Sequence, residues 1–232
     1  MSYDSIIAEL NSLANLENVA GMARFGIKSD NILGISMKAL EPIARRIKKD
    51  HALALQLWNS NIHEARLLAC MIDDPKQVTE AQMEAWVADF DSWDVCDQAC
   101  NKVFDKTPYA YSKAVEWTRR EVEFVKRAGF VLMATLAVHD KKAPDEPFID
   151  FLPIIQREAG DSRNFVKKAV NWALRQIGKR NSRLNALAIQ TGEAMREMDS
   201  KAAKWVAADA LRELTSAAVK EKLARQHQKK ET

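Results

Sequence analysis

Apolar residues recur along this chain at three- and four-residue intervals, the period of amphipathic helices. Residues 5–10 open one helix and residues 19–25 form a second. After a break at Gly34, residues 37–47 form a third, in which Pro42 either kinks the helix or marks its true first turn. A short helix spans 51–58. Residues 64–72 are apolar nearly all round, which predicts a buried helix. Asp73-Asp74-Pro75 breaks the chain, and Thr79 caps a helix running through Phe90. Asp91 or Ser92 caps the next. Pro108 starts another that ends near Arg120. Residues 121–138 form a long apolar helix with Arg127 inside it, and 141–147 is the clearest loop. Helices follow at 148–158, 165–177, 183–198 and 201–223. No stretch alternates as a strand does.

Helices joined by short turns predict an all-α fold, a curved solenoid of antiparallel helix pairs of the HEAT-like repeat type. The 232 residues suffice for one domain or a stack of small repeats. A single helical domain is expected over 1–223, followed by a basic disordered tail at 224–232. Glycine (7) and proline (6) are scarce, as long helices with few tight turns require.

Composition narrows the classes. Apolar residues are 47% and charged residues 29%, which is globular rather than disordered. No apolar run reaches the roughly 20 residues that span a bilayer, and no basic segment followed by an apolar one opens the chain. Three cysteines, Cys70, Cys96 and Cys100, are too few and odd for a disulfide framework and fit a reducing cytoplasm. They read as small buried residues. The four histidines show no metal spacing, and no cofactor is expected.

The net charge of +3 is unevenly spread. Arg163, Lys167, Lys168, Arg175, Lys179, Arg180 and Arg183 follow one another with no intervening acid. A second basic group runs from Lys38 to Lys49, and a third lies in the tail, where solvated helix faces are the simpler reading. Acids concentrate between Asp73 and Asp105. A basic concave face on a solenoid suits a polyanion such as a duplex backbone.

Phosphate-cradling glycine loops, nucleophile elbows and dinucleotide fingerprints are absent from the sequence. What remains is sparse. Trp93 and Asp97 are one helical turn apart, which puts an indole and a carboxylate on one face. That pairing suits a cation, although a surface acid beside a packed tryptophan has the same spacing. Arg127 sits among Phe124, Val125, Ala128 and Phe130. A buried guanidinium needs a partner, so it either pairs with an acid such as Asp97 or meets an anion in a groove. Trp172 lies between Lys168 and Arg175; it is either a core residue or an aromatic packed on a sugar–phosphate surface. Trp58, Trp86, Trp117 and Trp205 read as helix–helix packing.

Four stretches resemble the AlkD-like DNA alkylation repair glycosylases, a family of HEAT-like repeat proteins. They are Met22-Ala23-Arg24-Phe25 with Leu33-Gly34-Ile35, then Ser92-Trp93-Asp94-Val95-Cys96-Asp97, then Lys126-Arg127-Ala128, and the late helix from Lys168 to Arg175. The resemblance runs from about Ala20 to about Ala218. It implies that Asp97 is the catalytic carboxylate, that Trp93 and Trp172 flank the sugar of the lesion, and that Arg127 grips a phosphate. With the basic run, it makes Arg127, Lys167, Lys168, Arg175, Lys179 and Arg180 the expected DNA contacts. Ser92 stands where some members carry a second tryptophan, Phe25 where a tyrosine can occur, and Lys38 where a proline is often seen.

The implied activity is hydrolysis of the N-glycosidic bond of cationic N3- or N7-alkylated purines in duplex DNA by a monomeric, cytoplasmic, monofunctional enzyme. Such a base already leaves readily, so the demand is to stabilise the oxocarbenium forming on the deoxyribose. One carboxylate and two aromatic faces meet it without metal. The family need not flip the base into a pocket, as most glycosylases do. Two other readings stay open: a non-catalytic module for distorted or branched DNA, and a protein–protein scaffold.

Overall fold

The computed structural model describes residues 1–27 and 31–231. Among these, the chain forms 14 α-helices and one 3-10 turn, with no strand. It divides into two compact units, residues 1–108 and 109–232, where the sequence suggests a single domain over 1–223.

The first unit comprises α1 (Tyr3–Ser12), α2 (Leu16–Arg24), α3 (Met37–Ile47), α4 (His51–Asn59), α5 (His63–Ile72), α6 (Glu80–Ala88) and α7 (Trp93–Lys102), then the 3-10 turn Phe104–Lys106. Thr79 caps α6 as its sequence predicts, its side chain accepting from the Gln82 amide. Pro42 stays inside α3 rather than opening it. The centre of the unit is aromatic. Trp58 of α4 and Trp86 of α6 stack with centroids 4.0 Å apart and planes 2° apart, and Phe90 and Phe104 close around them. Burying each such ring stabilises the fold by about 1.5–3 kcal/mol.

α5 is buried along almost its whole length, as expected, although it carries His63, Glu64 and Arg66. Burial of charge is tolerated because each finds partners. Glu64 accepts from the backbone amides of Leu33, Gly34 and Ile35 at 2.8, 2.7 and 3.1 Å. Gly34 adopts φ +76°, and a Cβ there would lie 2.1 Å from the Asn15 carbonyl oxygen. Only glycine satisfies both conditions.

The second unit comprises α8 (Ala110–Trp117), α9 (Glu123–His139), α10 (Glu146–Glu158), α11 (Asn164–Gly178), α12 (Ser182–Arg196), α13 (Lys201–Leu214) and α14 (Ala217–Glu231). α9 is its axis, buried from Val125 to Ala137 and packed against α8 and α11. Gly129 makes the α8 approach close: a Cβ would come within 2.8 Å of the Thr118 amide nitrogen. α12 and α13 pair in turn, and α13 also lies against α11.

One expectation is corrected here. The helix predicted over 201–223 is two helices, broken at Thr215 and Ser216. The Thr215 hydroxyl turns back to the Leu211 carbonyl, and the Ser216 hydroxyl accepts from the Val219 amide, as a helix-capping serine does. The second of the two helices, α14, runs on as far as Glu231. Val219 and Leu223 are buried and anchor that helix. Thr232 lies outside the described residues.

Candidate functional site

In the first unit, Ser92 occupies the N-cap position of α7, so Trp93 and Asp97 both fall in the first two turns of that helix. The Trp93 indole N–H donates to the Phe25 carbonyl at 3.0 Å. This bond ties the C-terminal end of α2 to the tryptophan–aspartate motif, leaving the Phe25 ring 74% exposed. Trp93 and Asp97 are each half-buried. Beneath them Cys96 and Cys100 are fully buried. Burial, then Cys96 and the charge of Asp97, push the Cys100 thiol well up, and both cysteines pack as small buried residues.

The support for this helix was not visible in the sequence. His63 of α5 is buried, and its Nε2 meets the Asp94 carboxylate at 2.9 Å. Asp94 also accepts from the Val95 amide. Burial works against both charges. For His63 the hydrogen bond and charge of Asp94, with Glu64 and Asp91, outweigh it and raise the imidazole. For Asp94 the His63 interactions outweigh it and hold the carboxyl low. The other ring nitrogen of His63 is buried with no hydrogen-bond partner. α5 thus grips both flanks of the motif: His63 holds α7, and the adjacent Glu64 holds the Leu33-Gly34-Ile35 segment. Charged residues inside an otherwise apolar helix were the available signal.

In the second unit, Arg127 is 6% exposed, and its guanidinium donates to the Phe165 carbonyl of α11 at 2.7 Å. Phe124 and Phe165 pack beside it, ring centroids 5.4 Å apart. The neighbouring Lys126 pairs with Glu158 at 2.6 Å and Asp161 at 3.3 Å, a network the sequence did not suggest. Trp172, two turns further along α11, is half-buried. The structure therefore joins Trp93, Asp97 and Phe25 in one unit, and Arg127 with the helix of Trp172 in the other.

The expected DNA contacts differ in how far they are engaged within the protein. Lys168 is exposed on α11. Lys167 lies over the ring of Trp205, 4.7 Å from its centroid. That tryptophan is 42% exposed, so it carries a lysine rather than packing between helices as expected. Arg175 and Lys179 both pair with Glu213 of α13, at 2.7 and 2.6 Å. Arg180 donates to the carbonyls of Ala137, Asp140 and Ala143 and lies 4.0 Å from the Phe148 ring centroid. It closes the end of α9, where helical carbonyls lack partners.

Comparison with known proteins adds an independent line. Residues 6–214 match the family model described as DNA alkylation repair enzyme. Over 134 residues the chain is 27% identical to an uncharacterized protein of Listeria innocua and 25% identical to one of Listeria monocytogenes. Each match takes in 56% of this chain and 60% of the relative, so the chain spans less than two thirds of their length. A solved structure is similar with a TM-score of 0.76 at 19% identity, covering 91% of this chain and 95% of that one. It is described as a new family of proteins related to the HEAT-like repeat DNA glycosylases with affinity for branched DNA structures. The fold is that of the HEAT-like repeat proteins. No helix among the described residues is long and apolar enough to cross a membrane.

Proposed function

The chain belongs to the DNA alkylation repair enzyme family, and from that premise we propose that it is a monofunctional DNA glycosylase, acting as a monomer on cationic N3- or N7-alkylated purines in duplex DNA. One observation carries this reading: the Trp93 indole is fixed by its bond to the Phe25 carbonyl, one turn from the half-buried carboxylate of Asp97. A clamped indole and a partly desolvated carboxylate on one helix face suit a cation that exists only transiently.

The chemistry follows from the charge that develops. The C1′–N bond breaks as the cationic base departs neutral with the bonding electron pair, and positive charge builds on the deoxyribose. Asp97 stabilises that charge, orients the attacking water and accepts its proton as the water oxygen bonds to C1′. Trp93 and Trp172 present ring faces that attract a cationic sugar. Arg127 exchanges its bond to the Phe165 carbonyl for a backbone phosphate, and Lys168 with Lys167 adds backbone contacts.

The test is release of 7-methylguanine or 3-methyladenine from methylated duplex. Wild type should release base, and Asp97→Asn should slow release by at least about 10²-fold, the scale of losing one preorganised electrostatic group. No release under conditions where wild type binds DNA would refute the enzyme reading.

A second reading is favoured by the HEAT-like relative with affinity for branched DNA. On it, this chain is a non-catalytic module for distorted or branched duplexes. Tight junction binding that survives Asp97→Asn, without base release, is its signature.

A further inference from the structure

The second unit holds a cavity of about 800 Å³ between the end of α9, the loop after it, the α11–α12 junction and α14. It is a half-open cleft rather than an enclosed cavity, and its wall has two characters. Ala137, Val138 and Leu223 form an apolar strip that is open chiefly at Val138, 41% exposed against 5% and 6% for the other two. Facing cations come from the loop, the junction and α14. One acid, Asp145, is in the lining.

The cations divide by what they already hold. Lys179 is taken by Glu213 and Arg180 by three carbonyls. These two build the wall. Lys141 is exposed on the loop. Lys222 donates to the Lys179 carbonyl at 3.3 Å. Arg183, its side chain 62% exposed, stands 3.5 Å from Glu146 and 3.9 Å from Asp145, long contacts on an open surface that contribute little. Three positive side chains thus border one void.

Two further features give the void a direction. Ser182 and Arg183 form the first turn of α12, where backbone N–H groups lack intrahelical acceptors. Asn181, which caps that turn, is itself fixed: its side chain accepts from the Leu184 amide at 2.9 Å and donates to Asp145 at 2.7 Å. Towards α14, the Gln226 side-chain oxygen is buried without a hydrogen-bond partner, an acceptor lacking a donor. An anion fits one end, a flat apolar group fits the strip, and a hydrogen-bond donor fits Gln226.

We propose that this cavity binds a nucleoside phosphate. Lys141, Arg183 and Lys222 hold the phosphate at the start of α12. The base lies against Ala137, Val138 and Leu223, and Gln226 accepts from base or sugar. The same chemistry is offered by a free nucleotide and by the 5′-phosphorylated end of a DNA strand. The inference does not depend on the glycosylase reading.

The experiment is calorimetric titration of the full chain with inorganic phosphate, with ADP, and with a single-stranded oligonucleotide carrying or lacking a 5′-phosphate. ADP should bind more tightly than phosphate. The Lys141→Ala/Lys222→Ala double variant, at two exposed positions, should weaken ADP by at least about 10-fold without shifting the thermal midpoint. Lys204→Ala, at an exposed position of α13, should bind as wild type does. Displacement of ADP by the phosphorylated oligonucleotide, and not by its unphosphorylated counterpart, identifies the strand end as the source. Binding of ADP without such displacement identifies the free nucleotide. The proposal is overturned if no phosphate-bearing probe binds, if the double variant binds ADP as wild type does, or if it weakens the unphosphorylated oligonucleotide by the same factor as ADP. Base release by the double variant, measured alongside, keeps this outcome separate from that of the glycosylase reading.

Discussion

At the scale of single residues, the helix that carries Trp93 and Asp97 rests on side chains of another helix. His63 is buried against Asp94, its imidazole raised and the Asp94 carboxyl lowered. The signs set a pH window. The histidine contribution is complete below its unfolded value of about 6.5 and is lost as pH rises through the higher folded value. The aspartate contribution is complete above about 3.9 and is lost as pH falls through the lower folded value. The pair therefore stabilises most between about pH 4 and pH 6.5. His63→Ala should cost about 3–5 kcal/mol, as removal of one partner of a buried pair does. Urea unfolding should show a larger deficit at about pH 5.5 than at about pH 8.5. An equal deficit at both would mean that His63 is never charged in the fold. Trp93 and Asp97 were legible because their spacing alone puts them on one face. His63 was not, because it lies 31 residues from Asp94 and one histidine in an apolar stretch carries no spacing signal.

At the scale of elements, helix period and capping chemistry account for most of what was readable. Thr79 is where its local chemistry suggests, and α5 is as buried as its all-round apolar pattern implies. Local pattern failed where hydroxyls decide. Thr215 and Ser216 end one helix and begin another, and a periodicity argument passes over both. Nor does it show what Arg180, which lies in a basic run and reads as a DNA contact, does within the protein. There its guanidinium closes α9 and holds the following loop through three carbonyls. Arg180→Ala should lower unfolding free energy by about 1.5–3 kcal/mol, the scale of hydrogen bonds made by a charged group, read as a shift of the urea midpoint. The salt dependence of duplex binding should keep its slope. A reduced slope with unchanged stability would show that Arg180 contacts phosphate instead.

At the scale of the whole molecule, a HEAT-like helical array that binds duplex DNA should lose affinity linearly in log salt, with a slope of about −0.9 for each phosphate contacted. Lys168→Ala removes an exposed cation and should flatten that slope by about 1 while weakening all duplex sequences alike. Negligible DNA affinity with no salt dependence would leave only the protein–protein scaffold. By itself the sequence determined the all-helical class and most helix positions. Each rests on contacts within a few residues, which period and caps encode directly. Only the tertiary structure decided which charges are engaged within the protein. Glu64 holds the Gly34 segment, Glu213 takes Arg175 and Lys179, and Arg180 turns to its own carbonyls, each across 29 residues or more. A cation's type is written in the chain, but its partner depends on which distant helix packs beside it.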